Sequence, residues 1–422
     1  MLSGAYPIPA NNGAKRRILA TAQHLSRNNH LCLISFAEPG ADPLEKQEPD
    51  SAAQWENHLV EMPCVPRWRT ALKACLSNDS YGMTKYKDRN FALAVTRQLQ
   101  EQQFDAIWLH TFNMVPYLEQ CIRFYRGKKN RALYVLDQHN VDELYFGSFV
   151  KCKNPIISTF AFFEVRKNRI LQKRWFPRFD AIYSVAAEDQ QMTNRYVDED
   201  VKVWLAPNGV DIDYFKPVEV RSDTRPMPII VFGASLDVTM NQDAALWFAT
   251  SIWPIVREKI GNAQFWIVGR NPPAFIQSMN GKEGITVTGT VPDIREYYRH
   301  ADVFVVPVRY GGGTKLKTLE GMAMGLPVVS SSVGVQGLEI ENGKHILVCD
   351  NPAGFAADII DLLADRTKAL QMGIEARRLV ENHYSWESIV GKMDLQLRDL
   401  CSRKKVLNVK SIQVERPRQP EY

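Results

Sequence analysis

VFVVPVRYGGGTKLKTLEGMAMGLPVVSSS, residues 303–332, is the stretch on which the fold turns. Residues 303–307 are apolar at every position, as a parallel strand covered on both faces must be. Val308-Arg309-Tyr310-Gly311-Gly312-Gly313-Thr314 then leads into a segment of helical period carrying Lys315, Lys317 and Glu320. After Gly325 a second apolar run, residues 327–331, reads as another strand. Strand, glycine loop, helix and strand make a βαβ unit, the building block of a parallel sheet with helices on both sides. Three glycines before a helix start let a ligand come close to the backbone and leave N–H groups pointing at an anion. Arg309 and Lys315 bracket that loop and would add charge-assisted contacts to a diphosphate. Glu320, further along the helix, is of the right type to accept both hydroxyls of a ribose. A tight glycine turn with solvated basic residues is the plainer alternative.

The same grammar runs through the chain. In the first half, strand candidates are residues 31–36, 104–110, 133–137, 181–186 and 201–206. In the second half they are 229–233, 265–269, 285–289, 303–307, 327–331 and 346–349. Amphipathic stretches such as 14–26, 241–260 and 353–364 lie between them, so the class is α/β with doubly wound sheets. The alternation breaks once, at 213–228, where Pro217, Pro226 and Pro228 stand among charged residues with no apolar period. The expected division is an N-terminal domain 1–212, a linker 213–228, a second domain 229–383, a C-terminal helix 384–401 and a charged, frayed tail 402–422 holding Pro417 and Pro420. Only Met1–Ala5 precede Tyr6-Pro7-Ile8-Pro9, which leaves room for a brief first strand or a truncated one.

Bulk properties narrow the class of function. The 422 residues are 45% hydrophobic and 23% charged, values of a globular protein able to build its core without staples. A net charge of +5 is mild at this length and does not suggest a nucleic-acid binder. The seven cysteines, Cys32, Cys64, Cys75, Cys121, Cys152, Cys349 and Cys401, are scattered, odd in number and never spaced C-x-x-C. They read as reduced thiols of a cytoplasmic protein and not as a disulfide framework or zinc site. No run approaches the about 18 apolar residues of a spanning helix, and the N-terminus lacks the layout of a signal peptide.

The segment Gly-Thr-Lys-Leu-Lys-Thr-Leu-Glu-Gly-Met-Ala-Met-Gly-Leu-Pro-Val-Val, residues 313–329, resembles the donor site of the retaining glycosyltransferases of family 4, which have the GT-B fold. Ala206-Pro207-Asn208-Gly209-Val210-Asp211, Trp266-Ile267-Val268-Gly269, Gly289-Thr290-Val291-Pro292-Asp293 and Tyr384-Ser385-Trp386-Glu387 fit the same family, and Tyr6-Pro7-Ile8-Pro9-Ala10-Asn11-Asn12-Gly13 looks like its first glycine loop. The likeness is tight over about residues 200–400 and looser before. It implies two Rossmann-like domains facing each other across a cleft, with the C-terminal helix packing back on the N-terminal domain. It also implies donor-binding roles for Gly13, Gly311, Gly312, Gly313, Thr314, Glu320, Gly289 and Val291. The family's hallmark is two glutamates eight positions apart. Glu320 matches the second, whereas the first position is Gly312, a glycine-rich version resembling a subgroup of bacterial polysaccharide-associated sugar transferases. The family's Gly-Arg followed by a lysine is replaced by Gly233-Ala234-Ser235-Leu236, and Arg309 with Lys315 would supply that charge.

On the acceptor side, His110 and His139 each stand just past a strand, at the carboxyl edge where such sheets bind ligands. Asp137-Gln138-His139-Asn140 resembles the family's acceptor loop. His110 is the expected contact to donor sugar and acceptor, with His139 and Asn140 beside it; structural histidines are the alternative. Asp211-Ile212-Asp213 has the D-x-D form of a metal site but lies at the linker, so its expected job is capping. Two basic stretches remain. Residues 66–76 place Trp68, Ala71, Leu72, Cys75 and Leu76 on one helical face beside Arg67, Arg69 and Lys73; residues 151–178 hold eight Lys or Arg and one acid, Glu164. Either would suit an anionic membrane surface at the inner face of the membrane; core-packed helices with a solvated basic face are the alternative.

The expected activity is hexosyl transfer from a UDP- or GDP-linked sugar to a glycan or lipid-linked acceptor. Retention, no metal and no cofactor beyond the nucleotide sugar are expected, with Arg309, Lys315 and His110 as catalytic groups. A non-catalytic nucleotide-sugar-binding homologue and a sugar-nucleotide epimerase of the same fold are the rivals. A dinucleotide-dependent dehydrogenase fails for want of G-x-G-x-x-G after an early strand.

Overall fold

The computed structural model describes residues 1–10, 12–38, 55–128, 131–139, 142–147, 150, 155–217, 227–311 and 314–414. Of the positions singled out above, Asn11, Asn140, Cys152, Pro226, Gly312 and Gly313, with residues 415–422 of the tail, lie outside the described residues. The chain forms two compact units, Met1–Ala206 with Val390–Tyr422, and Pro207–Ile389.

The first unit is built on a parallel seven-stranded sheet of order β3-β2-β1-β4-β5-β6-β7. Its strands are β1 Leu2–Ser3, β2 Cys32–Ala37, β3 Glu56–Glu61, β4 Ala106–His110, β5 Leu133–Gln138, β6 Ala181–Ser184 and β7 Lys202–Leu205. The strands β2, β4, β5 and β6 are buried at nearly every position, which is why they read as continuous apolar runs. Two strands escape that pattern. β1 has two residues, too few for any period, yet lies mid-sheet between β2 and β4. β3 is a largely exposed edge strand whose sequence, ENHLVE, is polar, as edges are. The strand order reverses between β1 and β4, and Ser3 pairs with both Ser35 and His110 there. The helix Gly13–Ser26 begins one residue before the expected 14–26; Asn12 caps it, accepting from Lys15 N at 2.9 Å.

The second unit has a parallel six-stranded sheet of order β10-β9-β8-β11-β12-β13. The strands are β8 Ile229–Gly233, β9 Gln264–Val268, β10 Ile285–Val287, β11 Val303–Val306, β12 Val328–Ser330 and β13 Leu347–Val348, each within a residue or two of its expected run. Here the order reverses between β8 and β11, and the glycine loop follows β11. The helix Leu316–Ala323 packs closely enough on β11 that a Cβ at Gly321 would fall 2.7 Å from the Phe304 ring.

Two boundaries differ from expectation. The second unit starts at Pro207, because the last residues of the expected first domain, with the start of the expected linker, are bonded into it. Arg377 Nη1 donates to Ile212 O (3.1 Å), Phe215 O (2.8 Å) and Ala323 O (2.6 Å), and Val210 N donates to Tyr384 O at 2.8 Å. The last helix, Trp386–Val414, runs on past the expected 384–401 into the stretch expected to fray, since no proline interrupts it before Pro417. From Val390 it belongs to the first unit: Tyr183 Oη donates to Met393 O at 3.0 Å and Asn29 Nδ2 to Asp394 Oδ1 at 3.1 Å. Asp211 closes a turn as expected, its Oδ1 accepting from Asp213 N at 3.0 Å and Tyr214 N at 2.8 Å.

Candidate functional site

In the second unit the switch point gathers the loop after β11, the start of the helix Leu316–Ala323 and the loop after β8. Lys315 immediately precedes that helix and is buried, its Nζ donating to Gly311 O at 2.9 Å. Gly311 has φ +110, a region that favours glycine, and a Cβ there would press on Met240 Sδ at 2.7 Å. Lys317, two residues on, donates to Asn241 Oδ1 at 2.5 Å and lies over the Phe232 ring. Burial pushes both ammoniums down to about 8; Lys317 is also lowered by Lys315 and raised by Glu320. Glu320 is buried on the same helix and accepts from Tyr298 Oη at 3.4 Å. Thr314 is buried too, and its hydroxyl finds no hydrogen-bond partner among the described residues, a vacancy native interiors rarely leave.

The loop after β8 is held on the same side. Asn241, which receives Lys317, donates its own amide to Ser235 O at 2.7 Å, while Gln242 Nε2 donates to Leu236 O at 2.8 Å. Gly233 carries Tyr298 against its backbone, and Gly269, at φ +155, lies where a Cβ would fall 1.7 Å from Ala234 O. Arg309 is half exposed and forks onto Asp243, at 2.9 and 2.5 Å, with its guanidinium over Trp247. Its charge is thus already countered by a carboxylate. Gly289, at φ +68 after β10, borders open space, and Val291 is partly buried nearby in sequence. Lys317 was read on the helix behind the loop without a site role, and Asn241 and Asp243 were not among the expected residues; the contacts that place those two span 76 and 66 residues and leave no local signal.

In the first unit a second polar group sits at the carboxyl ends of β4 and β5. His110, Asp137 and Arg17 are almost wholly buried. Arg17 forks onto Asp137, Nε at 2.9 Å and Nη2 at 2.6 Å from Oδ1. His110 Nδ1 lies 3.1 Å from Asp137 Oδ2 and 3.3 Å from His139 Nε2, which is itself 3.5 Å from Asp137 Oδ2. Burial would raise the Asp137 carboxyl, but Arg17 and the two histidines outweigh it and hold the group well below the usual range. Burial pushes His110 down to about 4, against the pull of Asp137. At neutral pH the ring is therefore uncharged, with Nδ1–H given to Asp137. That leaves His110 Nε2 a bare acceptor, and it has no partner among the described residues; nor do His139 Nδ1, Ser35 Oγ within β2 and Ser184 Oγ at the end of β6. Thr111, just after His110, is held at φ 73, an unusual conformation for a β-branched residue. Such strain gathers where a site fixes its geometry. Gly13 opens the helix that carries Arg17.

Among the described residues, two groups bring possible metal ligands within 4.8 Å of one another: His110 with Asp137 and His139, and Cys32 with Glu56 and His58. In the first, Asp137 is committed to Arg17, whose charge would oppose a cation. No helix among the described residues is long and apolar enough to cross a membrane.

Residues 227–365 match the family model described as Glycosyl transferases group 1, a span that takes in the glycine loop, Lys315, Lys317 and Glu320. Over 211 residues the chain is 27% identical to the GDP-mannose-dependent alpha-(1-6)-phosphatidylinositol monomannoside mannosyltransferase of Mycobacterium tuberculosis, covering 44% of this chain and 53%, about half, of that protein. It is 27% identical over 276 residues to the UDP-Gal:alpha-D-GlcNAc-diphosphoundecaprenol alpha-1,3-galactosyltransferase of Escherichia coli, covering 59% and 69%. The structure of sucrose-phosphate synthase from Thermosynechococcus elongatus matches with a TM-score of 0.66 at 17% identity, over 95% of this chain and 99% of that one. That likeness shows the fold: GT-B, with two parallel-sheet α/β units.

Proposed function

We propose that this chain is a glycosyltransferase that moves a hexosyl group from a UDP- or GDP-sugar to a glycan or lipid-linked acceptor. Retention and independence of metal are part of the reading, as is a cytoplasmic setting in bacterial polysaccharide or glycoconjugate synthesis. The observation that carries it is the pair of lysines, buried Lys315 and half-buried Lys317, at the start of a helix behind a glycine loop, with Glu320 one turn further. Two neighbouring ammoniums that burial pushes toward neutrality gain most from an anion placed between them and the helix N-terminus. A nucleoside diphosphate offers that anion, and Glu320 offers an acceptor for its ribose hydroxyls.

In the proposed reaction the bond from the sugar C1 to the diphosphate oxygen breaks as the acceptor oxygen bonds to C1 on the same face. The acceptor's proton passes to the departing phosphate. Asp137, engaged by Arg17, is not spare to act as a nucleophile. The growing charge on the diphosphate would meet Lys315, Arg309 and the backbone of Gly311 and Thr314. His110, neutral with a bare Nε2, and His139 would take sugar hydroxyls as hydrogen-bond partners. Two of the similar proteins carry names that specify lipid-linked acceptors, one with GDP-mannose and the other with UDP-Gal. They support the acceptor class and leave either nucleotide open.

Incubation with a panel of UDP- and GDP-sugars, following nucleotide release with and without a membrane lipid extract, tests the proposal. Release accelerated by acceptor is expected from one donor. Binding without release would point to a non-catalytic homologue, and isomerised sugar nucleotide to an epimerase.

A further inference from the structure

The helix Pro155–Trp175 is built inside out. Its buried side carries Glu164, Asn168 and Gln172 beside Ala161, Leu171 and Trp175. Its other side exposes Ile156 (79%), Phe162 (54%), Phe163 (56%) and Ile170 (60%). A surface helix ordinarily does the reverse, and clustered exposed apolar side chains mark a surface that meets something. Arg166, Lys173 and Arg174 are exposed between them. The one acid of the helix, Glu164, is turned inward to accept from Tyr81 N at 2.8 Å.

The helix Arg67–Leu76 repeats the arrangement. Trp68, Leu72 and Leu76, spaced four apart along one side, are exposed, while Thr70 and Ala74 are buried. Arg67, Arg69 and Lys73 accompany them and the helix contains no acid. This disposes of the core-packed alternative for these apolar residues. The two helices are tied together in the first unit, where Lys167 Nζ donates to Ala74 O; just past the second of them, the Tyr81 ring meets Phe160 edge-on at 6.0 Å.

We infer that the exposed sides of these two helices form a docking surface for an anionic lipid bilayer. Apolar and aromatic side chains would enter the boundary between headgroups and acyl chains, and the interleaved cations would pair with lipid phosphates. Charge complementarity selects this occupant: a second copy meeting the same face about a two-fold axis would bring cation against cation. The inference holds whether or not the chain transfers a sugar, because binding to a bilayer needs no donor.

Co-sedimentation of the full chain with vesicles of phosphatidylcholine alone, and of phosphatidylcholine mixed with phosphatidylglycerol, tests it. Binding to the mixed vesicles is expected, weakening as salt shortens the Debye length. Phe162→Ser with Phe163→Ser, and separately Arg166→Glu with Lys173→Glu, should each weaken partitioning by about tenfold or more. All four positions are exposed, so circular dichroism should report an unchanged fold. The inference is overturned by equal binding to both vesicle types in wild type and variants, or by no sedimentation with either. It is also overturned if the wild type is a dimer that the phenylalanine pair converts to monomer without vesicle binding.

Discussion

Lys315 and Lys317 are both pushed to about 8 by burial, so each loses its charge just above neutral pH. Donor affinity should hold level below about pH 7 and fall as pH rises through about 8, the cations neutralising while the diphosphate stays anionic. Titration calorimetry across that range reads the effect; an affinity that stays level to pH 9 would take both lysines out of the site. Arg309 and Lys315 differ in setting, one already forked on Asp243 and the other buried against the loop carbonyl of Gly311. If both answer charge that develops in the transition state, Arg309→Ala and Lys315→Ala should lower turnover by on the order of 10²-fold while weakening ground-state donor binding less. A rise in KM alone, at full kcat, would make the altered residue a binding contact only. His110 carries a pH signature of its own. Its folded-state pKa is depressed from 6.5 to about 4, so the unfolded chain binds the extra proton first as pH falls. The stability this contributes is complete above about pH 6.5 and is lost as pH drops toward 4, at up to about 1.4 kcal/mol per pH unit. Urea unfolding should therefore show a shallower acid limb in His110→Gln than in wild type; parallel limbs would contradict the buried, neutral imidazole.

Tyr298 joins two elements of the second unit, its hydroxyl lying against the backbone of Gly233 at the end of β8 while donating to Glu320. A Cβ at Gly233 would fall 1.9 Å from that hydroxyl. Gly233→Ala should push the buried ring aside at a cost in stability of about 1–3 kcal/mol, disturb Glu320 and weaken donor binding; unchanged donor affinity in the folded variant would sever this link. The strands that frame this region were legible because both faces are covered: the runs at 229–233 and 303–307 are apolar throughout, and β8 and β11 occupy them. Lys315 and Glu320 were legible as well, from the glycine loop and the helical period behind it. What lay hidden depends on distance along the chain or on a missing period. β1 is too short to show one, β3 is a polar edge, and Asn241 reaches Lys317 only once the sheet has formed. The linker boundary was misplaced for the same reason, since it is Arg377, 165 residues on, that gathers the Ile212 carbonyl into the second unit. The inside-out helix Pro155–Trp175 was ambiguous in sequence, because its period allows either side to be buried.

At the scale of the whole molecule, the GT-B fold supplies two sheets whose switch points each hold a buried polar group. In the first unit the cations at the helix start are paired with carboxylates, Arg17 with Asp137 and Lys15 with Glu38, whereas in the second unit Lys315 and Lys317 bond to the Gly311 carbonyl and the Asn241 amide oxygen. In this account those cations and the helix dipole take the role a metal would otherwise play at the diphosphate. Turnover should therefore survive chelation by EDTA; loss of activity restored by Mn²⁺ would show that an ion is required. The most direct check on the whole account is calorimetric titration of UDP and GDP into the wild-type chain and into Glu320→Ala. One nucleotide should bind saturably to the wild type, and loss of the Glu320 carboxylate should weaken it by about 1.5–3 kcal/mol, roughly tenfold or more. Failure of both nucleotides to bind, or equal affinity in the two proteins, would contradict the assignment of the second unit as a sugar-nucleotide site.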